Sequence, residues 1–124
     1  MQTLILLAVT IFFSIYLVKL IIKYNLHKNA FFKKKVLAHI NNNPCILGKD
    51  LREMYNQNLQ SWSKIMRVSA TSFYLRIAEL EDFDYVQSRR VPSMTHGEIT
   101  YLREYIITPM GKEAQKTIVV PPLN

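Results

Sequence analysis

From residue 3 to residue 22 the chain reads TLILLAVTIFFSIYLVKLII, apolar on every side of a helix and broken by a single charge, Lys19. About 20 residues at 1.5 Å each make roughly 30 Å of helix, the thickness of a bilayer's hydrocarbon. The pattern predicts a transmembrane anchor over residues 1–24. Lys19 lies a turn from its end, where a long stem carries the ammonium to the headgroups, and Tyr16 and Tyr24 suit the same interface. A helix apolar all round would need a larger protein to bury it. A cleaved signal peptide would need a basic leader and a small-residue exit; Met1-Gln2-Thr3 and Ile-Ile-Lys-Tyr-Asn supply neither.

Past the anchor the apolar residues become periodic. Neither Gly nor Pro interrupts residues 3–43, so helix is expected to run through the juxtamembrane stretch. Phe32, Val36, Leu37 and Ile40 form one apolar face, and Asn41-Asn42-Asn43-Pro44 ends it. A second helix fits Gly48 to about Asn58, with Leu51, Met54 and Tyr55 inward. Ser69 caps a third, with Val68 and Phe73 placed as a hydrophobic staple. Phe73, Tyr74, Ile77 and Leu80 make its buried stripe, leaving Ala70, Thr71, Ser72, Leu75, Arg76 and Glu79 outside. Trp62 and Met66 read as core. Two strands follow, Tyr85–Val91 and Ile99–Ile107, joined by the turn-forming cluster Pro92–Glu98. Tyr101, Arg103, Tyr105 and Ile107 share one face of the second strand; Leu102, Glu104 and Ile106 share the other. Thr108-Pro109 opens a short last helix, and Ile118–Pro122 reads as an extended tail. The expected fold class is α+β: an anchor (1–24), a basic juxtamembrane segment (25–35), a folded domain (36–117) of three helices, a two-stranded hairpin and a short helix, then a tail (118–124).

Charge is unevenly divided. Residues 1–35 hold six lysines and no acid, whereas residues 36–124 hold ten Lys/Arg against all nine Asp/Glu, a net of +1. Basicity therefore belongs to the membrane-proximal stretch and is no evidence that the domain binds nucleic acid. Lysines follow the anchor and none precedes it, which predicts a single pass in the cytoplasmic membrane, N-terminus out and domain in the cytoplasm. Lys19, Lys23, Lys33, Lys34 and Lys35 are the expected lipid-headgroup contacts. The lone cysteine, Cys45, allows no intrachain disulfide. His27, His39 and His96 are scattered without metal spacing, and Asp82 and Asp84 flank a turn with no acid/base partner. No enzyme, cofactor or metal is expected.

The run Ser69–Arg90 (SATSFYLRIAELEDFDYVQSRR), then Tyr105–Ala114 (YIITPMGKEA), resembles the bacterial winged-helix regulators of the PadR and MarR type. In them a Leu-Glu motif ends the recognition helix, an acidic-Gly-apolar-Val turn leads into the wing, and an aromatic-x-Leu/Ile-Thr-x-x-Gly motif ends its second strand. Gly48-Lys49-Asp50-Leu51 is similar to the Gly-x-x-Leu that opens their second helix. The resemblance covers residues 36–117 and implies a winged helix-turn-helix. There are departures: Asp84 stands where a turn glycine is usual, Met94–Glu98 carries no Arg or Lys at the wing tip, and the dimerising C-terminal helix is short. A homodimer would therefore use the anchor helix or the one after it.

The resemblance implies a DNA-binding regulator or membrane DNA tether, with Ala70, Thr71, Ser72 and Arg76 at base edges and Lys64, Arg67, Arg89, Arg90 and Arg103 on phosphates of duplex DNA. Alternation puts Arg89 and Arg90 on opposite faces, so one of the two can meet a given backbone. A net of +1 is low for such a partner. The alternative is a winged-helix module that recruits a cytoplasmic protein partner to the membrane. A third is an anchor helix that packs in a larger assembly, capped by the domain.

Overall fold

The computed structural model of the chain describes residues 1–59 and 67–122. Trp62, Lys64 and Met66 lie outside the described residues. Helix α1 (Gln2–Asn42) runs unbroken for 41 residues. Every residue through Ile22 is exposed, and among the described residues α1 is the one helix long and apolar enough to cross a membrane. The hydroxyls of Thr10 and Ser14 donate back to the carbonyls of Leu6 and Thr10, each at 2.8 Å, so the polar groups of this stretch are satisfied within the helix.

The chain divides into two compact units, one of residues 1–31 with the tail from Val119, the other Phe32–Ile118. In the first, the buried imidazole of His27 donates from Nδ1 to the Pro121 carbonyl at 2.6 Å, and its ring stacks with Phe31.

The second unit is α+β. The end of α1 leads into β1 (Ile46–Leu47), α2 (Gly48–Gln57), α3 (Ala70–Asp82), β2 (Val86–Thr95), β3 (Glu98–Ile107) and α4 (Pro109–Thr117). The predicted face of α1 is the core: Phe32, Val36, Leu37 and Ile40 are all buried, against Leu51 and Tyr55 of α2 and Phe73, Ile77 and Leu80 of α3. Phe32 sits edge-on to Tyr55 at 5.1 Å and to Phe73 at 5.6 Å.

Helix α3 begins where its capping residue predicts. Ser69 is extended, and its hydroxyl accepts from the Ser72 amide at 3.4 Å. Val68 and Phe73 are both buried beneath it. The Asn56 side chain fixes the entry, accepting from the Val68 amide at 3.1 Å and donating to its carbonyl at 3.3 Å. At the far end Asp84 holds the left-handed conformation (φ 61) in which glycine is commoner.

The sheet departs from expectation in two ways. It has three antiparallel strands in the order β1-β3-β2, where two were expected. β1 is a two-residue strand pairing Ile46 with Tyr105 and Leu47 with Glu104, too short to show alternation. The β2–β3 hairpin is also longer than expected. Pro92 lies inside β2 opposite Tyr101, and the turn shrinks to His96-Gly97, both at positive φ (54 and 80). β2 is an edge strand, where a missing N–H costs no ladder bond, so proline does not end it. Two of the residues assigned inward are less buried than expected: Tyr74 is 42% exposed and Met54 half-buried.

Helix α4 is fastened to the base of the hairpin by Thr108. Its hydroxyl donates to the Asp84 carbonyl at 2.6 Å and accepts from the Gly111 amide at 3.0 Å, while its own amide donates to the Tyr85 carbonyl at 3.0 Å. Gly111 has no room for a side chain, because a Cβ there would lie 2.0 Å from the Tyr85 carbonyl oxygen. Gly97 meets nothing within 4 Å and is constrained by its φ alone. Gly111→Ala should therefore cost about 3 kcal/mol or more, and Gly97→Ala about 1 kcal/mol. Denaturant unfolding of the two variants in detergent measures the difference, and equal losses would contradict it.

Candidate interaction surface

The predicted base-edge residues do not form one surface. Ala70, Thr71 and Ser72 are exposed on the first turn of α3. Arg76 is half-buried, its guanidinium carbon 5.3 Å from the centre of the buried Phe32 ring. It is also the only base on α3, against Glu79, Glu81 and Asp82, so the helix carries a net charge of −2. Its solvent side presents Leu75 (65% exposed), Tyr74 and Ala78.

The predicted phosphate contacts are likewise dispersed. Arg67 is exposed ahead of α3, and Lys64 lies outside the described residues. Arg89 forms an ion pair with Glu104 across the hairpin. Arg90 and Arg103 stand directly opposite one another in the β2–β3 register, on the other face, and both are exposed. Arg103 donates from Nη1 to the Ser88 hydroxyl at 3.0 Å. Like charges at a facing cross-strand position repel, so this pair weakens the hairpin when nothing anionic lies over it. Of the predicted headgroup lysines, Lys19 and Lys35 are exposed and Lys23 half-buried. Two others are engaged inside the second unit: Lys33 lies 5.1 Å from the centre of the Phe83 ring, and Lys34 donates to the Ile118 carbonyl at 3.3 Å.

The register that sets Arg90 beside Arg103 also places Pro92 with Tyr101 and Met94 with Ile99 on the same face. Towards the turn this face is bare and apolar, with Met94, Ile99 and Tyr101 exposed by 72%, 65% and 64%. Towards the base it meets α3. There an open groove of about 300 Å³ is lined by Gly48, Lys49, Tyr74, Tyr101, Arg103 and Tyr105 among others. A neighbouring recess extends it past Tyr74 and Arg103 to Ala78 and Glu81. Gly48 permits this geometry, since a Cβ on it would come within 3.0 Å of the Tyr74 ring and 3.1 Å of the Tyr105 ring.

Sequence reasoning missed the groove. Alternation put Tyr101, Arg103 and Tyr105 on one face, but Lys49 and Tyr74 join them only through tertiary packing. On the opposite face a smaller cavity of about 210 Å³ is lined by Cys45, Gln87, Ser88, Arg89, Glu104 and Ile106. No group of three or more His, Cys, Asp or Glu among the described residues is placed to hold a metal ion. Burial, and then the charge of Lys35, lower the pKa of His39.

No protein-family model matches the chain, and no curated protein is significantly similar to it.

Tyr105 reports on the groove. Burial first, then the neighbouring Glu81 carboxylate, push its hydroxyl up to about 12, with Arg103 pulling the other way. The folded pKa lies above the unfolded value of about 10, so the phenol keeps its proton in the fold while the unfolded chain loses it. The stability this contributes is complete below pH 10 and lost as the pH rises towards 12. Tyr105→Phe should remove one late-ionising step from an ultraviolet titration of phenolate. Its persistence in the variant would contradict the assignment.

Proposed function

We propose that this chain is a membrane-anchored winged-helix protein whose folded unit recruits a cytoplasmic protein partner. The winged-helix reading is supported by the order of helix, short strand, two helices and hairpin, and by α3 leading directly into the hairpin through Asp84. Anchoring is supported by the exposed apolar half of α1. The cytoplasmic orientation follows from lysines that cannot cross a bilayer cheaply.

The observation that carries the recruiting role is the surface of α3. A helix that reads DNA needs cations toward the phosphates and donors toward the base edges. This one has a net charge of −2, its single arginine lies against Phe32, and its exposed residues set Tyr74, Leu75 and Ala78 beside Thr71, Ser72, Glu79 and Asp82. Tyrosine, arginine and exposed apolar side chains are the composition of a protein-binding surface.

Duplex DNA is the second reading. It is favoured by the exposed Arg67, Arg90 and Arg103 together with the hydroxyls of Thr71 and Ser72. The test is fluorescence anisotropy of labelled duplexes against the full chain in lipid nanodiscs, from about 50 to about 200 mM salt. Binding should stay weak, indifferent to DNA sequence, and little altered by Arg76→Ala. Tight binding that falls steeply with salt, and is weakened by Arg76→Ala and Arg90→Ala, would put DNA first. A reporter fused to the C-terminus should be active in the cytoplasm; activity confined to the periplasm would reverse the orientation.

A further inference from the structure

We propose that the groove between α3 and the Arg90/Arg103 face of the hairpin takes an acidic segment of the partner protein. Carboxylates would meet Lys49, Arg90 and Arg103, and an apolar or aromatic side chain would lie between Tyr74 and Tyr101. This rests on the recruiting role proposed above and specifies its chemistry.

Charge and shape both argue for this occupant. Arg90 and Arg103 face each other across the strands, where side chains stand about 5 Å apart, and neither forms an ion pair among the described residues. Arg103 gives one N–H to Ser88, and a guanidinium has five to give, so donors remain for a carboxylate. Lys49 joins Arg103 in lining the groove, and Arg90 stands beside Arg103 at its border. The nearest acid of the second strand, Glu104, points to the other face and pairs with Arg89. A ligand carboxylate here would thus offset a standing repulsion, with Glu81, in the same recess as Arg103, as its internal competitor. Between the cations lie tyrosine rings, which bury apolar surface at little cost in side-chain entropy.

The extent of the basic patch selects a peptide over a nucleic acid. Its end along α3 is acidic, with Glu81 beside Tyr105 in the recess, while Glu98, like Glu104, belongs by register to the other face. A phosphodiester chain carries a charge at every step and, followed along the groove, would run onto the Glu81 carboxylate. A peptide can set its acids over the cations and a neutral residue beside Glu81.

The test uses the full chain in nanodiscs of neutral lipid, presented to a random peptide library, with a synthetic peptide of the enriched sequence measured by titration. Enriched peptides should place Asp or Glu next to an aromatic residue or Leu. Arg103→Glu and Lys49→Glu should each weaken the peptide about tenfold, and exchanging its acids for Lys should restore binding to Arg103→Glu. Arg67→Glu should leave binding unchanged. Circular dichroism and the late tyrosine ionisation confirm that each variant is folded. Enrichment without acids, or binding indifferent to both groove variants, overturns the proposal. If that indifferent binding is instead lost in Leu75→Ala, the recruiting role stands and the groove falls. Displacement of the peptide by duplex DNA, with DNA binding weakened by Arg90→Ala and Arg103→Glu, overturns both.

Discussion

Three helices meet at the ring of Phe32. It comes from α1, lies edge-on to Tyr55 of α2 and Phe73 of α3, and is buried. Edge-to-face pairs of this kind add about 1 kcal/mol each beyond the burial of the rings. The junction does more than hold the helices. Fixing Phe73 inward fixes the rotation of α3, and that rotation lays Arg76 over the Phe32 ring. A guanidinium held over an aromatic face gains about 1 kcal/mol there and gives up reach into solvent. The same contact that stabilises the core therefore draws the one cation of α3 partly out of solvent.

A second constraint governs the hairpin. Thr108 ties its own backbone to Tyr85, its hydroxyl to Asp84, and the start of α4 to both. The hairpin thus leaves a rigid base, with Val86 and Tyr105 buried, and extends past the helices until both its faces are exposed. Among the described residues of the second unit, nothing covers Met94, Ile99 and Tyr101. Rigidity at the base and bareness at the tip favour contact, since a surface already held in place gives up little conformational freedom on binding.

How much of this could be read from the residues follows from how local each signal is. Ser69, Asp84 and the Thr108-Pro109 pair act through backbone groups within four residues or by their own φ, and all three behave as their chemistry dictates. The apolar face of α1 was equally legible, because its period is that of a helix. β1 was not, since two residues carry no period and pair only because Tyr105 arrives opposite Ile46. Pro92 reads as a turn residue because its tolerance in β2 depends on β2 being the edge, a property of the whole sheet. Tyr74 sits one residue from Phe73 at the border of the buried stripe, where spacing alone cannot say whether the sheet will cover it. The candidate site fared worst for the same reason. Which arginine is free and which is paired depends on register and on packing between elements, and neither shows in one strand.

On the recruiting reading, the modest size of the groove and the anchor belong together. A free domain with three cations and two tyrosines at its binding surface would have to find a dilute partner unaided. A partner on the same membrane meets it at a far higher effective concentration, on the order of millimolar for short flexible tethers. Weak, fast-exchanging contacts are then enough, and charge serves chiefly to speed encounter and reject uncharged segments. A sequence-specific DNA reader gains less from such tethering, because its selectivity must come from contacts to base edges, and on α3 the only charged donor is turned toward Phe32. The placement of that single arginine favours a protein partner over a DNA site.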